Sequence, residues 1–501
     1  MSSHRTRQAS LVDVLMRSTG TTWNNEDHLL NTFSGVFIPC ICTIFGVVIY
    51  LRMGFLVGQA GLFGSFLILG AAFVISLLTV LSLSALVSSG QVSSGGLYDG
   101  VRKSVGAEFG AVIGILFFCA YVVGIANYAI GFAHALVSQT GIHETFNIFP
   151  WNPPGSWVET IVASMATTLA AVVASQGVAV GSRVLLFIFI VIIISVITSM
   201  LCLLISTTDQ KSGHTAFNMK TLANNTGWDL KPFGPYPENS PWLMFTIMFP
   251  GFTGVIAGAN LSGELKTPRE SIAIGTLSAL LFAFCTYLFI CFVLASTVER
   301  NTLQSDMLII DTVVEGSTNL PIVFIGIMST TLSSVLSYML GAPRVLQAMS
   351  RDGLFPILQP FSITNSNNEP VRAVVLTWLL TQIVILVGDL DLLLPVVSGC
   401  FLICFCAVNL TCFVLEFSPR AQQRNRHFRL YSKWSALLGR CSICRSFSSP
   451  SNLFHCHCHV SLLSKNTQTS LFLTYINIFG TSFTTLLSLI KNTFFFEFKL
   501  F

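Results

Sequence analysis

Two uncharged, apolar stretches of this 501-residue chain each carry a proline followed by a glycine and two bulky apolar residues. The first reads Pro39-Cys40-Ile41-Cys42-Thr43-Ile44-Phe45-Gly46-Val47-Val48, and the second Pro250-Gly251-Phe252-Thr253-Gly254-Val255-Ile256. Proline removes a helical donor and glycine admits backbone that other residues avoid, so each stretch reads as a helix broken near its middle. At a break, one half-helix ends in unpaired carbonyls and the next opens on unpaired amides. Carbonyl ends favour a cation and amide ends an anion. Thr43 and Ile44 would offer the carbonyls of the first break, with Gly46, Val47 and Val48 as its amides. Pro250 and Thr253 take the carbonyl role in the second, and Gly254, Val255 and Ile256 the amide role. Neither break contains Asp, Glu, Lys or Arg, so ions held there must neutralise one another. The chemistry expected is joint binding and coupled movement of a cation with chloride.

Such breaks need membrane helices to carry them. Hydrophobic residues make up 52% of the chain and charged ones 10%, which excludes a soluble globular protein. Charge-free runs long enough to cross a bilayer predict ten spans, near 33–54, 62–88, 108–137, 157–175, 184–206, 242–262, 271–296, 320–343, 373–388 and 392–416. The ninth is the shortest. Matched Pro/Gly interruptions in the two halves of a membrane protein point to a transporter's binding site.

With the N-terminus in the cytosol, 16 Lys and Arg fall inside and five outside, in keeping with the positive-inside rule. The N-terminus lacks an apolar run of signal-peptide type, so no cleaved signal is expected. The outer loop at 207–240 carries the sequon Asn224-Asn225-Thr226, which makes Asn224 the glycosylation candidate. Two further sequon matches, at Asn260 and Asn409, lie in spans. None of the 14 cysteines falls in an outer loop, so no structural disulfide is expected. The net charge of +4 belongs mostly to the inside loops and implies no nucleic-acid partner. No nucleophile–base pairing, Walker motif or Rossmann glycine pattern is present, which argues against an enzyme and against a cofactor.

Several longer motifs stand in order: GVFIPCICTIFGVVIYLRMGFLVGQAG at 35–61, SSGGLYDGVRKSVGAEFG at 93–110, MFPGFTGVIAGANLSGELKTPRESIAIGTL at 248–277 and LSSVLSYMLGAPRVLQAMSRDGLFP at 332–356. From about residue 31 to 438 the chain resembles the cation–chloride cotransporter family, solute carrier family 12. NLTCFVLEF at 409–417 and FRLYSKWSALLG at 428–439 look most like its cotransporter-interacting-protein branch. The resemblance implies an all-α membrane protein with an inverted five-plus-five repeat of the amino acid–polyamine–organocation (LeuT-like) type, helices 1 and 6 broken.

It also implies sites. A potassium-like site falls on Thr43, Ile44, Tyr128, Pro250 and Thr253, with Thr43 standing where the family has a side-chain amide. The chloride sites fall on Gly46, Val47 and Val48 and on Gly254, Val255 and Ile256, and Phe405 replaces a tyrosine at the second. A sodium-like site falls on Ser333 and Ser334 with the carbonyls of Cys42, Phe45 and Thr330. Taken alone, Tyr128 is an ordinary packing tyrosine, and a Ser-Ser pair in a membrane helix bonds back to its own preceding turn. Glu264, Lys266 and Arg269 read as a solvated inner loop rather than a gate, and Glu108 as a residue at a helix start.

The resulting domains are a cytosolic segment 1–30, a ten-helix transport domain 31–416, a basic segment 417–439 and an atypical tail 440–501. The tail departs abruptly in composition, as an alternative exon or out-of-frame translation would. Its Cys441-x-x-Cys444 and His455-Cys456-His457-Cys458-His459 resemble zinc ligands, but five alternating neighbours cannot all face one metal.

The leading expectation is electroneutral symport of an alkali or ammonium-like cation with chloride, in the plasma membrane or an endolysosomal membrane. A non-transporting partner of related cotransporters is the alternative, as homodimer or heteromer. An amino-acid carrier fits less well, because Gly46-Val47-Val48 leaves little room for a carboxylate.

Overall fold

The computed structural model describes residues 30–89, 96–140, 157–205, 213–232, 240–306, 308–318, 321–365, 369–386 and 390–417. Among these, eight helices are long and apolar enough to cross a membrane, and the bent pair Pro241–Met248 and Pro250–Asn260 makes a ninth. Val371–Ile385, shorter at 15 residues, coincides with the ninth and shortest span of the sequence reading. The tail beyond residue 417, with its cysteine and histidine cluster, lies outside the described residues.

Span 1 opens with a π-helical turn, Phe33–Phe37, and runs helically through Ile38–Phe45, Val48–Leu51 and on from Met53. It ends at Gly61 rather than near residue 54. The backbone there turns through φ 67° and ψ 179°, a conformation glycine tolerates best. Span 2 follows at once and reaches Ser89. Span 3 is Ala107–Thr140, span 4 Trp157–Ser175 and span 5 Val178–Ile205. Span 5 starts six residues earlier than expected, because Arg183 is exposed within its first turns and does not mark a boundary. Span 6 is the bent pair, span 7 Pro268–Thr297, span 8 Ile322–Arg351, span 9 Val371–Ile385 and span 10 Leu390–Phe417.

Five is an odd number, so spans 6–10 cross in the opposite sense to spans 1–5. Span 3 packs extensively on its counterpart span 8, and span 2 on its counterpart span 7. Span 1 is 89% buried in its most apolar window, against 33% for spans 4 and 5, so it lies at the centre and they lie at the rim. On span 5, Phe187, Ile190, Ile194, Ile197, Leu201 and Ile205 are exposed at steps of three and four. That stripe has the spacing of one helical face and suits contact with acyl chains.

Buried polar groups tie the spans together. Asn409 of span 10 donates to Thr79 Oγ1 at 2.9 Å and accepts from Ser82 Oγ at 2.6 Å. It is fully buried, so this sequon match is a structural amide. Pro250 cannot bond to the Thr246 carbonyl one turn back, and Ser398 Oγ of span 10 takes that acceptor at 2.6 Å.

Candidate functional site

The first interruption is a true break. Gly46 adopts φ 33° and ψ −135°, which stops the helix after Phe45. Sterics also require glycine: a Cβ would lie 2.6 Å from Tyr128 Cε1 and 3.1 Å from Ser334 Oγ. Past the break, the amides of Leu51 and Arg52 bond one turn back, to Val47 and Val48, at 3.1 and 3.2 Å. The amides of Gly46, Val47 and Val48 therefore occupy the start of the second half-helix, where intrahelical partners run out. The Val47 side chain packs on Gly131 of span 3, and Val48 on Gly251 of span 6.

The second interruption differs from the expectation. Pro250–Thr253 is α-helical, Gly254–Ile256 is a tightened 3-10 turn, and Ala257–Asn260 is again α-helical. The span is broken earlier, between Met248 and Pro250, where it bends by 42°. Gly254 keeps φ −61° and ψ −13°, so its amide and those of Val255 and Ile256 stay within a continuous helical path. The two spans touch at this point. A Cβ on Gly254 would meet Thr43 Oγ1 at 2.6 Å and the Ile44 nitrogen at 2.7 Å. Cys40 Sγ lies 3.6 Å from the Val255 carbonyl, a second direct contact.

Oxygens gather beside the contact. The Tyr128 hydroxyl is 3.4 Å from both the Thr43 carbonyl and the Pro250 carbonyl, so spans 1, 3 and 6 each contribute one oxygen to a common point. Thr253 Oγ1 lies 2.8 Å from the Pro250 carbonyl and 2.9 Å from the Tyr338 hydroxyl. The Thr43 hydroxyl bonds within its own helix, to the Pro39 carbonyl at 2.6 Å and the Cys40 carbonyl at 2.9 Å. Ile44's carbonyl accepts from the Tyr287 hydroxyl of span 7 at 2.6 Å. All of these residues are essentially fully buried.

The serine pair of span 8 faces the same break. Ser334 Oγ is 2.8 Å from the Cys42 carbonyl and 2.9 Å from the Thr330 carbonyl; Ser333 Oγ is 3.4 and 2.9 Å from the same two atoms. Both the expected back-bonding and the contact to span 1 thus coexist. Oxygens about 2.4 Å from one small cation and at right angles to each other would be about 3.4 Å apart, a spacing that Ser333 Oγ and the Cys42 carbonyl have and the other three pairs fall short of. The Phe45 carbonyl is not among these contacts.

Tyr287 and Tyr338 were not singled out in the sequence. Each stands in an apolar run, where a tyrosine that caps a carbonyl looks like one that packs. Phe405 sits in an aromatic group with Phe249 at 5.7 Å and Phe401 at 6.5 Å, and brings no donor to the second break.

Polar contacts hold both ends of the site. At one end, Arg344 is 6% exposed and pairs with Glu369 at 2.9 Å and Glu264 at 3.5 Å. Glu369 also accepts from the Val178 amide at 3.1 Å, so spans 5, 6, 8 and 9 are joined there. Glu264 therefore belongs to an ion-pair seal rather than a solvated loop, while Lys266 and Arg269 are exposed as expected. Glu108 is exposed in the first turn of span 3, where an acidic residue suits the helix end. Arg102 joins Asp352 at 2.9 Å, and the Tyr98 hydroxyl donates to the same carboxylate. At the other end, the segment 213–232 is fastened across spans 1 and 7. Asn225 Nδ2 bonds the Ala295 and Val298 carbonyls at 2.9 and 2.8 Å, and Arg300 Nε bonds the Gly58 carbonyl at 3.1 Å. A hydrogen bond from Gln304, with Lys231 and Arg300 close by, holds the Asp229 carboxyl below the usual range. Asn224 is exposed at the end of the short helix Met219–Asn224.

The amino acid permease family matches residues 35–447 of the chain. Solute carrier family 12 member 9 of Xenopus laevis is 33% identical over 448 residues, covering 86% of this chain and 48% of that relative. The vacuolar cation-chloride cotransporter 1 of Saccharomyces cerevisiae is 31% identical over 430 residues, covering 83% and 37%. A solved nucleobase-cation-symport-1 family transporter in a closed conformation covers 80% of this chain and 81% of its own, at 14% identity and a TM-score of 0.46. The chain spans about half the length of the solute carrier relatives it matches. With its apolar, membrane-length helices, its central broken helix and these sequence relationships, the chain belongs to the amino acid permease family and, within it, to the cation–chloride cotransporters of solute carrier family 12.

Proposed function

We propose that this protein is a secondary active transporter that carries an alkali or ammonium-like cation together with chloride across a membrane. The observation that carries the reading is the meeting of the Tyr128 hydroxyl with the carbonyls of Thr43 and Pro250, each at 3.4 Å, beside the amides that follow Gly46. Carbonyl and hydroxyl oxygens favour a dehydrated cation; exposed amides at a half-helix start favour an anion. Neither Gly46–Val48 nor Gly254–Ile256 contains a charged side chain, so the two ions compensate each other and transport is electroneutral. Ser333 and Ser334, with the carbonyls of Cys42 and Thr330, form the candidate sodium site. The multi-pass fold fits a plasma or endolysosomal membrane, and the vacuolar relative in yeast favours the second.

The test is uptake of radioactive rubidium into proteoliposomes holding the full chain. Chloride-dependent uptake without a change in membrane potential is expected. Replacement of sodium by N-methylglucamine should lower it, and Ser334→Ala should remove that sodium effect. Absence of rubidium, sodium and ammonium uptake overturns the reading.

A second reading is a non-transporting partner of related cotransporters. The bond from Tyr287 to the Ile44 carbonyl favours it, since one candidate ligand is satisfied within the protein. Co-purification with a related cotransporter in the absence of any flux would support it.

A further inference from the structure

We infer that Asn127 of span 3 is a ligand of the transported monovalent cation, its side-chain oxygen completing the group formed by Tyr128, Thr43 and Pro250. This inference rests on the symport reading above. Asn127 is fully buried, and neither its Oδ1 nor its Nδ2 has a hydrogen-bond partner. A primary amide removed from water without partners is disfavoured on both its oxygen and its nitrogen, and apolar residues of the same shape avoid that burden. Its retention beside Tyr128 calls for an occupant.

Placement supports the assignment. At about 100° per residue, Gly131 and Gly124 lie about 40° and 60° round the helix from Asn127, and Tyr128 about 100°. The two glycines therefore fall between Asn127 and Tyr128 on one face. A Cβ at Gly131 would meet Val47 Cγ2 at 2.6 Å, and one at Gly124 would meet Tyr338 Cε2 at 2.6 Å. That face of span 3 is thus turned toward the first break and span 8. Gly114 meets Met349 and Gly124 meets Tyr338, so spans 3 and 8 run antiparallel, and Asn127 falls level with Val335 and Ser334. The amide stands at the height of the break, on the side of span 3 that also carries Gly124, Gly131 and Tyr128.

The chemistry selects among occupants. An amide oxygen is a strong neutral acceptor and replaces hydration water around potassium, rubidium or ammonium without adding charge.

Two variants and two measurements test this on the full-length protein. Asn127→Leu removes the amide at similar volume, and Asn127→Asp keeps an oxygen in the same place. Potassium-dependent thermal stabilisation in detergent, with N-methylglucamine chloride as reference, reads binding without flux; rubidium uptake in proteoliposomes reads transport. The expected result for Asn127→Leu is a rise of at least tenfold in the potassium concentration giving half-maximal stabilisation, and in the rubidium KM, with protein yield retained. Asn127→Asp should stay within threefold of the parent. Unchanged potassium dependence in Asn127→Leu, as expected were Asn127 merely to hold a buried water, overturns the inference. So does equal weakening in both variants, or loss of potassium stabilisation in Asn127→Asp if the leucine variant does not fold. Failure of the symport reading is distinct: there the parent binds potassium and takes up no rubidium.

Discussion

The Tyr287 hydroxyl donates a 2.6 Å hydrogen bond to the carbonyl oxygen of Ile44, two residues before the glycine that breaks span 1. A neutral hydroxyl from span 7 thus holds an acceptor that a cation would otherwise use. Tyr287→Phe keeps the ring and leaves that buried carbonyl unpaired, which should destabilise the protein by about 1–3 kcal/mol in potassium-free buffer. Potassium should restore part of the loss if the freed carbonyl turns to the ion. Melting temperatures of parent and variant, with and without potassium chloride, check both statements.

Gly254→Ala tests the contact between the two interrupted spans. Its new methyl would sit 2.6 Å from Thr43 Oγ1 and 2.7 Å from the Ile44 nitrogen. The backbone on the far side cannot swing away as a flexible side chain can, so spans 1 and 6 must separate. Overpacking of this kind disfavours the fold by about 1–3 kcal/mol. Uptake should fall at least tenfold; a variant with full flux and an unchanged melting temperature would show that the spans are looser than described.

The sequence made some of this plain and hid the rest for physical reasons. Charge-free runs marked the spans, including the short one at Val371–Ile385, because a bilayer admits few alternatives. The break at Gly46 was visible in its Pro/Gly pattern. The segment at Gly254 carried nearly the same pattern and came out differently, the bend falling at the proline instead. Gly46 is displaced to a positive φ between Tyr128 and Ser334, whereas Gly254 is pressed against the backbone of Thr43 and Ile44 with helical angles. Only tertiary contacts make that difference. Tyr287, Tyr338 and Asn127 were equally hidden, since their roles depend on which neighbours the helix packing brings. The Arg344 seal joins residues far apart in the chain, Glu264 and Glu369, which no local spacing connects.

The inner seal predicts two unequal mutations. Glu369 is 12% exposed and Arg344 6%, so Glu369→Gln leaves a buried guanidinium with its close partner gone. Breaking a buried pair in this way disfavours the fold by about 3–5 kcal/mol. Glu264 is 40% exposed, and Glu264→Gln should change stability by less than about 1 kcal/mol. Thermal unfolding of the two variants side by side gives the comparison; equal losses would contradict the assigned burial.

Asp229 predicts a pH effect at the outer face. Its carboxyl is held below the ordinary value of 3.8, chiefly by the hydrogen bond from Gln304. A depressed folded value means that the unfolded chain takes up the proton first as pH falls. The contribution is therefore complete above 3.8 and fades as pH drops through the lower folded value. Asp229→Asn should lower the melting temperature slightly near neutrality, and the gap to the parent should close at strongly acidic pH. The side chain is 44% exposed, so the effect is small and weakens in salt.

The outer half of span 1 is fastened to its surroundings at several places: Leu62 to the Asn225 carbonyl, Asp229 to Gln59, and Arg300 to Gly58. Gly61 turns the chain tightly beneath Thr226 and Gly227. These attachments tie the end of the first rod, the segment 213–232 and the short helix Arg300–Ser305 to one another. Gly46, at φ 33°, is where that rod is interrupted. The fastenings at this end and the Arg344 clasp at the other share no residue, so the two ends of the proposed passage are held by separate parts of the molecule.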